Sequence, residues 1–449
     1  MPRPYPKIDA NPTKRFFISM LVRDIQLLEA LVDLVDNSID GARRLRSSVA
    51  ANGSRYGGLR IEVSMDRDRF QIFDNCGGID AKLAQEYAFN FGRKADFPAV
   101  EGAVGEFGVG MKRALFKLGN HFRIESTAER SKFLIDVDVK KWQTGTEVPR
   151  EFEFKEYHPR LTRTVPEADR FTRIEVDQLH RGMADQLELG RFHNDVSVTL
   201  GEQHQASLDH GLELLVNSKS VDRRRPLLLE SLSIQSVHKA LTLDAGDGKQ
   251  VAAELFVGLS DTGEQAQAGW YINCNDRLVV GADKTALTGW GRTAGGTLPN
   301  YHPQYRRFRG FAFLTSDEVG LLPWNTTKTS VDPNSLVYTR LLRDMIPSMQ
   351  EVLAQIDAAD VEMESFPRGA GPINKAIKEA TPVALTDIPT RDKFVVAVKS
   401  ARGAAKKKVS VQYSADRDKM DAVRESLGGL SARQAGLATF DYYYQSEIE

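Results

Sequence analysis

The sequence predicts an α+β fold for its N-terminal half, on two observations. Short apolar runs of strand type recur at 59–63, 70–73, 121–125, 133–139, 171–176 and 212–216. Runs with helical periodicity fall at 24–46, 81–89 and 111–118 and are expected to cover one face of the sheet, giving a sandwich. At 449 residues the chain has room for about three domains with sizeable cores. The first is expected over 1–222, ending at the charged run Asp222, Arg223, Arg224, Arg225. A second α/β domain is expected over 227–357, from strand-like runs at 252–257, 269–273, 277–280 and 310–314 and a helix over 335–356. Pro367, Gly369, Gly371, Pro372, Pro382 and Pro389 mark a linker over 358–390. A small C-terminal module over 391–449 would hold a basic run at Lys406, Lys407 and Lys408, a strand-like VSVQY and a helix-like DRDKMDAVRESL.

Composition narrows the class. Hydrophobic residues make 41% and charged residues 27% of the chain, the balance of a globular protein. A formal net charge of −1 gives no global field toward nucleic acid or a membrane. Cys76 and Cys274 have neither zinc spacing nor a disulfide framework. With no signal peptide and no apolar run of spanning length, a cytoplasmic location and no membrane contact are expected.

Three stretches carry chemistry. In LLEALVDLVDNSIDGA, residues 27–42, the apolar residues Leu27, Leu28, Leu31, Val32, Val35 and Ile39 recur at helical spacing and predict a core face. Asp33, Asn37 and Asp40 share the opposite face. An acid one turn before an amide suits a phosphate-bound magnesium: the amide oxygen ligates without added repulsion, and the carboxylate orients a water. A plain solvated face has the same pattern. In FQIFDNCGGID, residues 70–80, a strand ends at Asp74 and Gly77 and Gly78 permit a tight turn. A carboxylate there accepts from an exocyclic amine such as adenine's; taken alone, the segment equally reads as a β-turn with an Asx cap. In GAVGEFGVGMKRALFKLG, residues 102–119, Gly105, Gly108 and Gly110 precede a helical run. Free N–H groups at a helix start hold phosphate oxygens, and Lys112 adds positive charge. Arg113 after Lys112 excludes a Walker A loop, which needs Ser or Thr there. Arg93 and Lys94 lie in the glycine-bearing stretch just before, which suits a mobile lid.

Together and in this order, the three stretches resemble the boxes of the GHKL superfamily of ATPases, which includes gyrase, the large heat-shock chaperones, histidine kinases, MutL-type repair proteins and MORC proteins. The resemblance covers roughly residues 15–180 and is closest to stand-alone MORC- or MutL-like members. It implies a Bergerat-type α/β sandwich, with ATP and Mg2+ as ligands. Asn37 would ligate Mg2+, Asp74 would read the adenine amine, and Gly78 and Ile79 would lie by the base. Thr172, in FTRIEVDQL, stands where the family places a threonine near the adenine-binding aspartate. Gly105, Gly108, Gly110 and Lys112 would hold phosphates. Asp33 takes the place of the water-activating acid, usually Glu; the shorter side chain implies slow hydrolysis. Cys76 replaces the family's first glycine in the adenine box.

The second domain is similar to the transducer domain that follows the ATPase domain in gyrase and MutL. GWYINCNDRLVV matches its asparagine-turn strand pair, and LPWNTTKTSVD places Lys328 where a transducer lysine contacts the γ-phosphate. The implied function is an ATP-driven open/closed homodimer switch acting on a protein or nucleic-acid client. The basic, aromatic stretch Tyr305, Arg306, Arg307, Phe308, Arg309, Phe311 admits a DNA interface or an ordinary solvated face. A non-hydrolysing nucleotide sensor is the alternative. A histidine kinase fits less well, because His121 and His180 lack a phosphoacceptor context.

Overall fold

The structure, a computed structural model, describes residues 13–49, 55–89, 110–144, 152–223, 225–292, 298–325, 328–362, 366–367, 369–398, 414–427 and 431–448. The chain divides into two compact units, 1–401 and 402–449. The N-terminal part of the first unit is the expected α+β sandwich. Its strands are β1 (Arg60–Met65), β2 (Phe70–Asp74), β3 (Gly119–Thr127), β4 (Lys132–Asp138), β5 (Phe154–His158), β6 (Phe171–Leu179), β7 (Glu213–Val216) and β8 (Lys219–Ser220). They form one sheet in the order β5-β4-β3-β6-β2-β1-β7-β8, with β1 and β7 the parallel pair.

Helices α1 (Lys14–Arg23), α2 (Leu27–Leu45), α3 (Ala81–Leu83, continued by a π turn to Ala88) and α4 (Gly110–Leu118) belong to this part, as do α5 (Val139–Thr144), α6 (Arg181–Leu187), α7 (Gly190–Gln203) and α8 (Gln205–Asp209). The helical run expected over 24–46 begins at Leu27, with the Glu29 carboxylate accepting from the Gln26 N–H at 3.3 Å. Leu31, Leu34, Val35 and Ile39 are buried in the core, each contributing about 1.5–3 kcal/mol. The opposite face is mostly buried too: Asp33, Asp36 and Asp40 are covered, while Asn37 is exposed.

Further α/β structure follows. Strands β9 (Leu227–Glu230), β10 (Ile234–Gln235), β11 (Val237–Gly246), β12 (Lys249–Leu259), β13 (Gly269–Cys274), β14 (Arg277–Asp283) and β15 (Phe308–Thr315) precede the long helix α9 (Leu336–Glu362). The main sheet runs β11-β12-β15-β13-β14, with Trp270, Ile272, Phe308, Leu341, Met345 and Met349 in its core. Tyr305, Phe308 and Phe311 are buried, so the aromatics of the basic stretch serve packing.

The segment read as a linker over 358–390 is packed instead. α9 runs on to Glu362, whose buried carboxylate accepts from the Ile373 and Asn374 N–H groups at 3.0 and 3.3 Å and so anchors α10 (Pro372–Glu379). β16 (Thr381–Ala384) pairs with β9, and β17 (Val395–Val396) pairs with β10. The prolines misled because Pro372 opens a helix and Pro382 sits in a two-stranded ladder, places where a missing N–H is tolerated. Residues 391–398 likewise belong to this unit, not to a C-terminal module. In the second unit, α11 (Arg417–Ser426) and α12 (Ala432–Glu447) are described, while Lys406–Lys408 and VSVQY lie outside the described residues. Among the described residues, no helix is long and apolar enough to cross a membrane.

Candidate active site

The i, i+4 spacing of α2 sets the centre of the site. Asn37 Nδ2 donates to the Asp33 carbonyl at 2.7 Å, which fixes the amide and leaves Oδ1 as an exposed oxygen with no donor among the described residues. That is the atom a hard cation would take. α4 begins directly opposite, and a Cβ on Gly110 would lie 3.0 Å from Asp33 Oδ2. Gly105 and Gly108, and with them Arg93 and Lys94, fall outside the described residues.

Strand register builds a second cluster. Asp74 at the end of β2 pairs with Thr172 on β6, and Thr172 pairs with Ser126 on β3. Asp74 accepts from Ser38 Oγ of α2 at 2.7 Å and from the Cys76 N–H at 2.9 Å. Burial pushes its carboxyl up to about 6, although Ser38, Cys76 and the nearby charge of Arg44 pull the other way. Ser126 Oγ lies 3.2 Å from Thr172 Oγ1 and accepts from the Ile79 N–H at 2.7 Å. Gly78 has φ +73° and a Cβ there would be 2.2 Å from the Thr127 carbonyl oxygen, so the turn requires glycine.

The region after residue 226 completes the site. Lys328 Nζ reaches Asp36 Oδ2 at 2.8 Å and Asp33 Oδ1 at 3.4 Å, across almost 300 residues of sequence. Burial lowers its pKa, but Asp36 and Asp33 outweigh that and hold it raised. Asp36 also forms an ion pair with Arg277 and lies 3.5 Å from His204 Nε2. Burial alone would raise the Asp36 carboxyl; Arg277, Lys328 and His204 reverse this and hold it well below the usual range. His204 is pushed down to about 3 by burial and the neighbouring cations, against the pull of Asp36, and is neutral at neutral pH. Asn275 and Asp276 form the β13–β14 turn at φ +47° and +62°, the geometry of a tight hairpin that asparagine tolerates. Arg43 of α2 donates to the Asn275 carbonyl at 2.8 Å, so the hairpin is fastened to α2 at two points.

Lys112 and Arg113 differ from the sequence expectation. The Lys112 amine is buried on the Ala88 carbonyl at 3.1 Å, and burial pushes it down to about 7. Arg113 Nη2 meets Asp33 Oδ2 at 3.1 Å. Sequence reasoning also missed Ser38, Asp36, Ser126, Arg277 and His204. Ser38 and Asp36 flank Asn37 and were readable as neighbours of the box. Ser126, Arg277 and His204 carry no spacing signal.

The site therefore sets an amide oxygen and a carboxylate between two cations on α2, beside a buried carboxylate and a glycine turn at the end of β2. Among curated proteins no relative matches the chain. Residues 25–169 match the family described as histidine kinase-, DNA gyrase B-, and HSP90-like ATPase, which supports ATP binding here. The chain thus carries a GHKL-superfamily ATPase domain over these residues, with further α/β structure behind it.

Proposed function

We propose that the protein is a slow, Mg2+-dependent ATPase in which nucleotide state sets the position of the region after residue 226. The observation that carries this is Lys328 lying on the Asp33 carboxylate. In this scheme Asp74 accepts from the adenine amine, with Thr172 beside it and Gly78 and Ile79 against the base. Gly110 lets α4 approach the phosphates, with Gly105 and Gly108 contributing from the same box. Asn37 Oδ1 would hold Mg2+, which when bound neutralises phosphate charge. Asp33 orients the attacking water and takes its proton. Lys328 exchanges its carboxylates for the terminal phosphate, an anion dense enough to compete for a buried ammonium. ATP drives this only to the extent that it binds the closed arrangement more tightly than the open one. Closure of a homodimer around a protein or nucleic-acid client, MORC- or MutL-like and cytoplasmic, is the downstream part of the proposal.

Isothermal calorimetry with Mg–ATP, paired with phosphate release, tests it. Asp74→Ala is expected to abolish the binding heat; Asp33→Asn is expected to keep binding and lose turnover. Wild-type turnover matched by Asp33→Asn would remove Asp33 from the chemistry. The alternative, a non-hydrolysing sensor, is favoured by the two cations that occupy Asp33. Phosphate release that depends on Asp33 would exclude it.

A further inference from the structure

We propose that Arg113 is the α4 side chain that contacts the terminal phosphate of the bound nucleotide, distinguishing a triphosphate from a diphosphate. This rests on the ATP-binding function proposed above. Three observations carry it. Arg113 Nη2 sits on Asp33 Oδ2 at 3.1 Å, at the carboxylate assigned to the attacking water, while Lys112 one residue earlier turns its amine to Ala88. The Arg113 Nε–H is buried and has no hydrogen-bond partner among the described residues, so one N–H of the guanidinium fork is unused. Finally, Asp33 and Asp36 face three cations, Arg113, Lys328 and Arg277, with His204 neutral beside them. Arg113 and Lys328 are thus both held on Asp33, two cations on one carboxylate, and an incoming anion takes one of them over.

A phosphate oxygen at this point satisfies the idle Nε–H and one Nη–H together, the planar, bidentate recognition in which arginine exceeds lysine. With Asp33 assigned to the attacking water, the group beside it is the terminal phosphate, so the contact is expected with a triphosphate and not with a diphosphate.

The test compares Mg–ADP with the Mg complex of a non-hydrolysable ATP analogue, by calorimetry on the full chain. Arg113→Gln is expected to weaken the ATP analogue about 10- to 100-fold, the worth of a charge-assisted bidentate contact, and to leave ADP within about twofold. Arg113→Lys, which keeps the charge on Asp33 and guards against misfolding, is expected to weaken the analogue less and ADP not at all. Equal losses for both nucleotides, or no loss for either, would overturn the assignment and leave Arg113 a structural partner of Asp33. If wild-type protein binds neither nucleotide, the ATP-binding function itself fails and this inference falls with it.

Discussion

Replacing Asp74 by asparagine is expected to stabilise the nucleotide-free protein while destroying its ligand binding. Burial holds the Asp74 carboxyl at about 6 against an ordinary value of 3.8. The folded protein therefore binds this proton more tightly than the unfolded chain does. The sign follows: as pH rises from 3.8 toward 6 the folded state loses stability, and above 6 the full cost persists. A displacement of about two pH units corresponds to roughly 3 kcal/mol at neutral pH, as an upper bound. Asparagine removes the charge and keeps the geometry. Its Oδ1 still accepts from the Cys76 N–H, now at 2.9 Å, and its amide N–H donates to Ser38 Oγ, now at 2.7 Å. Asp74→Asn is thus expected to gain about 1–3 kcal/mol at pH 7.5, a rise of a few degrees in Tm, shrinking toward zero near pH 4. Nucleotide affinity is expected to vanish, because an amide donor would then face the adenine amine. Thermal melting of both proteins from pH 4.5 to 8 reads this directly. A lower Tm for Asp74→Asn at pH 7.5, or an offset that is the same at both ends of the range, refutes the reasoning.

Two other substitutions probe the frame around the site. Arg277→Met leaves Asp36 with only Lys328 and His204 nearby and is expected to cost about 3–5 kcal/mol, as breaking a buried pair does. Adding Asp36→Asn should recover at least about 1 kcal/mol, and urea unfolding followed by tryptophan fluorescence would expose strict additivity, which contradicts the pairing. Gly78→Ala forces a Cβ to 2.2 Å from the Thr127 carbonyl at φ +73° and is expected to cost about 1–3 kcal/mol. Weaker Mg–ATP binding should accompany the lower Tm, and unchanged values of both would show that the turn relaxes freely.

How much of this was legible depended on whether a signal was local. The helix around Asp33 and Asn37, the strand ending at Asp74 and the glycine opening of α4 each announce themselves within a dozen residues. The core strands did too, because their apolar runs are continuous. Unread elements lacked that contrast: β5, Phe154–His158, alternates with exposed charge, and α6 to α8 are weakly patterned. The packed stretch after α9 was hidden by prolines whose tolerated positions only pairing partners reveal. Lys112 was assigned to the phosphates from its charge at the helix start and from the family resemblance, and only the first turn of α4 tells which of two neighbours faces Asp33. Asp36, though a readable neighbour of Asn37, gave no hint of its role for a related reason. Its meaning comes from Arg277 and Lys328, partners far away in sequence.

That last point bears on how the two parts of the first unit communicate. Asp33 and Asp36 are adjacent on one helical turn, i and i+3, and Lys328 bridges them. One turn therefore holds both the carboxylate to which the proposed mechanism gives the attacking water and the carboxylate that fastens the β13–β14 hairpin through Arg277. A rigid helix cannot move one without the other, so displacement of Lys328 from Asp33 changes the charge balance around Asp36 at once. In the proposed mechanism Arg277 then becomes the principal counter-ion of a fully buried carboxylate, so the hairpin is expected to be held more tightly when Lys328 leaves. Coupling of this kind needs no long chain of contacts, only a shared anion with one permanent and one exchangeable partner.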